Sequence, residues 1–129
     1  MATASEAPAE TEAAAHRDAF CKNATALGSL SKGTGDAMAM SPAESVKDFQ
    51  SLSTKVAALK ADAATPALMA DIDAIAARLV LEQMVMSHKA DGTSPDEAMQ
   101  KLDTAKSDAD VAASRLVGTV KETCGIDIA

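Results

Sequence analysis

The sequence predicts an all-α protein, an up-down four-helix bundle stapled by one disulfide, and three observations carry that expectation. Trp and Tyr are missing and Phe occurs only as Phe20 and Phe49, so the aromatic mass that β-sheets pack with is absent. Hydroxyl–proline pairs stand where helices would begin. Between them, apolar residues recur at three- and four-residue steps, the spacing of one helix face. The length of 129 residues suits a single domain. Thirty of those residues are alanine and only 22 are Leu, Ile, Val or Phe, so the core is thin for its hydrophobic content of 47%.

Each element follows from local signals. Residues 1–11 read as a polar, flexible N-terminal tether, and residues 12–129 as one bundle domain. His16, Phe20, Ala24, Leu27 and Leu30 form a stripe over a first helix of about 12–32, weakened by Gly28, Gly33 and Gly35, with a resumption over Ala37–Met40. Ser41-Pro42-Ala43-Glu44 places a hydroxyl at N-cap, proline at N1 and a carboxylate at N3, starting a helix over 42–63. Its stripe is Val46, Phe49, Ser53, Val56, Leu59 and Ala63. Thr65-Pro66 starts a third helix over 66–90, lined by Leu68, Ile72, Ile75, Leu79 and Met86 with Glu82 or Gln83 at the rim. Ser94-Pro95-Asp96-Glu97 repeats the acidic start for a fourth helix over 95–123, lined by Met99, Leu102, Ala105, Ala109, Ala112, Leu116 and Val120. Asp91-Gly92 fits a turn and Gly125 a helix stop.

Cys21 in the first helix and Cys124 at the end of the last fall on antiparallel neighbours of such a bundle. A bridge between them closes a loop of about 103 residues, which chain entropy values at about 4.7 kcal/mol. The last helix, about 29 residues and about 43 Å long, requires the first to climb well past residue 32, either as helix or as an irregular segment over 33–40. The alternative is two reduced thiols in a cytosolic protein.

Charge and composition exclude several partners. Asp and Glu number 19 against 12 Lys and Arg, a net charge of −7, with no basic cluster and no interleaved aromatics, so a nucleic acid is not expected. The same balance disfavours an anionic membrane surface. No apolar run approaches the roughly 18 to 20 residues of a transmembrane span. No signal peptide is visible after Met1, which fits either a cytoplasmic chain or the mature part of an exported one.

Phe20-Cys21, a proline-started middle helix and Cys124-Gly125-Ile126-Asp127-Ile128 together resemble a group of small exported proteins and lipoproteins of actinobacteria. In that group a Cys in the first helix and a Cys-Gly near the C-terminus frame an alanine-rich helical domain, often with an aromatic where Phe49 stands. The resemblance spans most of residues 16–128. It implies an extracytoplasmic domain, secreted or attached to the cell envelope, with one disulfide, and it transfers no catalytic residue.

Chemistry-bearing groupings are few. Met84 and His88 share a helix face four residues apart and suit Cu(I), with Met38 and Met40 as further thioethers; the alternative sets Met84 and Met86 in the core and His88 in solvent. His16 raises haem ligation, but no C-x-x-C-H motif accompanies it. Gly33-Thr34-Gly35 lacks the Lys-Ser/Thr of a phosphate loop, and Asp91-Gly92-Thr93-Ser94 lacks the spacing of a calcium loop. No nucleophile has an identifiable base, so no enzymatic activity is expected. Residues 79–86 are apolar on more than one face, through Leu79, Val80, Leu81, Met84, Val85 and Met86. That surplus points to packing under the first helix, to a small apolar ligand between helices, or to a homodimer. The expected function is a non-enzymatic extracytoplasmic binding module for a protein or small apolar ligand. A copper-binding protein is the alternative, and a haem or apolar-ligand carrier a third reading.

Overall fold

A computed structural model describes residues 3–129, with side chains from Glu12 onward. Five α-helices follow in order: α1 (Thr3–Leu27), α2 (Leu30–Met38), α3 (Pro42–Ala58), α4 (Pro66–Ala90) and α5 (Asp96–Cys124). A short 3-10 turn, Lys60–Asp62, closes α3, and no strand occurs among the described residues. The helices pack as a four-rod, up-down bundle in which α1 and α2 together make the first rod. The α3–α4 and α4–α5 pairs carry most of the packing.

The first rod differs from the expected 12–32 helix. It begins at Thr3, inside the stretch read as a tether, and breaks at Gly28. Gly28 adopts φ +73°, a left-handed conformation that costs glycine nothing and a side-chain-bearing residue about 1 kcal/mol or more. Ser29 then caps α2, its hydroxyl accepting from the Lys32 N–H at 3.1 Å. The climb past residue 32 is therefore helical, in a second, separately capped piece.

Helix starts follow the hydroxyl–proline marks with one inversion. Thr65, without an acidic partner, accepts a hydrogen bond from the Leu68 N–H at 3.1 Å. Ser41 makes no side-chain cap bond, and α5 starts one residue later than expected, with Pro95 in the capping place and its carbonyl accepting from the Met99 N–H at 2.8 Å. Once Pro95 lies outside the helix, Ser94 is too far upstream to reach the second or third helical N–H.

The core joins Phe20, Ala24 and Leu27 of α1 with Phe49, Leu52 and Val56 of α3, the stripe Leu68–Ile72–Ile75–Leu79 of α4, and Ala112, Leu116 and Val120 of α5. On α3 the buried line passes through Leu52 rather than Ser53. On α5 it begins in earnest at Ala109; Met99, expected inside, is 46% exposed. Glu82, expected at the rim, is only 7% exposed. Beyond Gly125, Ile128 turns back and is fully buried, and its carbonyl accepts from the Leu30 N–H at 2.8 Å. Cys21 and Cys124 are joined, with Cα atoms 5.5 Å apart, and no free cysteine remains. The tail thus docks at the α1–α2 break, and the bridge ties the end of α5 to α1 about two turns before it.

Candidate functional site

Three places on the bundle concentrate chemistry-bearing side chains. The first is the lower end, where α1 crosses the α3–α4 connection. His16 Nδ1 lies 2.6 Å from Asp62 Oδ1, a pairing across 46 residues that no local pattern signals. The dyad borders a cleft of about 450 Å³ with Phe20, Leu68, Thr119 and Thr123 among its walls. His16 is 61% exposed and Asp62 17%. His16 thus lies on the surface within α1, well past its start at Thr3, with its imidazole held against the turn that closes α3.

The second is the C-terminal part of α4. Met84 is 41% exposed and Met86 only 8%, so the two methionines separate: Met86 joins the core and Met84 faces outward. This follows from helix geometry, which turns residues two apart by about 200°. His88 is half-buried and its Nδ1 lies 2.8 Å from the Thr93 hydroxyl, which also donates to the His88 carbonyl. Met38 and Met40 are exposed at the end of α2 and just past it. No group of three or more His, Cys, Asp or Glu side chains is arranged to hold a metal among the described residues. The Met84–His88 pair therefore offers a soft ion two donors on one helix turn.

Around this pair, α4 shows why residues 79–86 are apolar on more than one face. Leu79, Val85 and Met86 are buried inward, while Val80 is 45% exposed and Leu81 half-buried. α3 and α5, not the first rod, are the helices packed against α4, and they leave its outer side open. Ala77, Val80, Leu81 and Met84 form an uncharged strip along the outer side of α4, bounded by Asp73 at one end and His88 at the other.

The third place is a cleft of about 410 Å³ between α2, α4 and α5. Arg78 on α4 holds it together, donating from Nε to Glu82 Oε1 at 3.1 Å and from Nη1 to Asp110 Oδ1 on α5. The second Glu82 oxygen, Oε2, is buried without a hydrogen-bond partner. The sequence did not mark this carboxylate, because a lone Glu in an apolar stripe looks like a rim residue until a neighbouring helix closes over it.

No helix among the described residues is long and apolar enough to cross a membrane. Comparison with protein-family models, with curated proteins and with solved structures returned no match. Geometry and chemistry therefore carry the functional argument.

Proposed function

We propose that this chain is a non-enzymatic binding module of an oxidising, extracytoplasmic space, and that its contact face is the outer side of α4. The observation that carries this reading is the uncharged strip Ala77–Val80–Leu81–Met84, left uncovered on a chain of net charge −7. Exposed apolar side chains grouped on one helix face mark interaction surfaces more often than singly scattered ones do, and methionine adapts its shape to a partner. The joined cysteines support the compartment, since such bridges persist where thiols are not kept reduced. The likeness to small exported actinobacterial proteins, carried by the placement of Cys21 and Cys124-Gly125, supports it too.

The occupant that fits the strip is a second copy of the same chain. In an antiparallel, twofold pairing centred between Val80 and Leu81, the small Ala77 of one copy meets the large Met84 of the other. The same register sets His88 opposite Asp73, which is paired with Lys60 of its own copy at 3.1 Å, so no like charges are forced together at either end. Self-complementarity of this kind is what an isologous interface requires. One helix face is short of the roughly 800 Å² per partner of a standard interface, so the dimer is a weak one.

Sedimentation velocity from about 10 μM to about 1 mM tests this. The expected result is a concentration-dependent dimer that Val80→Glu with Met84→Glu abolishes while helix content is kept. A monomer throughout, or a dimer indifferent to those substitutions, would overturn it.

A further inference from the structure

The cleft between α2, α4 and α5 lies away from the outer face of α4 and carries a different chemistry. Its charged lining among the described residues is one cation, Arg78, and two carboxylates, Glu82 and Asp110. The site is therefore one positive charge short. Glu82 is nine-tenths buried, and only Oε1 receives a donor. Burying a carboxylate oxygen without a partner costs on the order of 1–3 kcal/mol, more for a charged group, so a native fold that keeps one invites a donor.

We propose that this cleft binds a small organic cation, a primary ammonium on a short apolar stem, with Glu82 as its anchoring carboxylate. An ammonium supplies both things the cleft lacks, a positive charge and N–H donors, of which it has three. Asp110 and the hydroxyls of Ser31 and Thr34 line the same space and can accept the remaining hydrogens. Leu30, Ile75 and Ala109 supply apolar wall for the stem. A hard metal ion is the poorer match, because calcium and magnesium ask for about six or more oxygen ligands and no apolar wall. A trapped water provides a donor but leaves the charge deficit in place. The volume of about 410 Å³ lies within the range of small-ligand sites.

Gly35 supplies a second handle. It lines the cleft, its φ is an ordinary one, and a Cβ built on it meets nothing within 4 Å. A leucine at this exposed rim position is expected to obstruct the cleft without straining α2.

The test is an amide-resolved NMR titration of the full chain with n-butylammonium, against 1-butanol, tetramethylammonium and sodium as controls. The expected result is saturable shifts centred on Gly35, Ala109 and Ala113 with n-butylammonium alone. Glu82→Gln should weaken binding about tenfold or more, the loss of one charge-assisted hydrogen bond, and Gly35→Leu should abolish it. Circular dichroism shows whether each variant folds, and Gly35→Leu decides the matter if Glu82→Gln does not. Shifts that fail to saturate, that sodium reproduces, or that survive Gly35→Leu would overturn the proposal, as would a silent cleft whose Glu82 is met only by water.

Discussion

The two halves of α5 live in different surroundings. From Ala109 to Val120 the helix buries Ala109, Ala112, Leu116 and Val120 in the shared core, packed on α4 and α1, and the bridge at Cys124 ties it to α1. From Asp96 to Asp108 it buries only Ala98, and its near neighbour is the end of α4. Length explains the contrast. α5 has 29 residues and α3 only 17, so α3 cannot accompany α5 to its far end. The lesson is that an alanine-rich bundle concentrates its stability where four rods overlap and leaves the remainder as a two-helix extension.

Removing the bridge is the strongest way to break this contrast. Cys21→Ala with Cys124→Ala should lower stability by about 4–5 kcal/mol, because the bridge closes a loop of 103 residues. Thermal unfolding of the variant and of reduced wild type should agree; an unchanged Tm would show that packing alone holds α1 in place. Next in size, Leu116→Ala should cost about 3 kcal/mol as a buried leucine truncation, whereas Met99→Ala on the exposed half should cost under about 0.5 kcal/mol. Urea unfolding measures both, and equal effects would mean that the far half packs as tightly as the near one. Native-state hydrogen exchange sharpens the same comparison: amides of residues 98–106 should open well before those of 112–122.

Smaller effects separate the helix starts. Thr65→Ala should cost about 1 kcal/mol, since its hydroxyl caps α4, while Ser41→Ala and Ser94→Ala should change little. The smallest expected change is a gain: Gly35→Ala adds helix propensity of about 0.5–1 kcal/mol in open space, read as a small rise in Tm.

The sequence was legible where the signal is local. Periodic stripes and hydroxyl–proline marks located α3, α4 and α5 and their inner faces, because helix geometry maps residue spacing directly onto a face. Cys21 and Cys124 were pairable once an up-down topology was assumed. It was less legible where two strong local cues competed: Ser94 with Glu97 looked like the best cap, yet the chain placed Pro95 outside the helix and left that hydroxyl unused. Met99 satisfied the stripe and is exposed, since a stripe has no partner past the end of a shorter neighbour.

The candidate sites were the hardest to see. His16–Asp62 and Arg78–Asp110 join residues 46 and 32 positions apart, and no spacing rule reaches that far. Ile128 follows a helix stop and looks like a tail until it is found in the core. By itself the sequence determined that the protein is helical, where three of its rods begin, and which face of each is apolar, because these are properties of short segments. Tertiary structure alone decided that Val80 and Met84 stay outside, that Glu82 is enclosed with one oxygen unmet, and how far each helix is covered. These depend on where a neighbouring rod ends, and that is set by packing between distant parts of the chain.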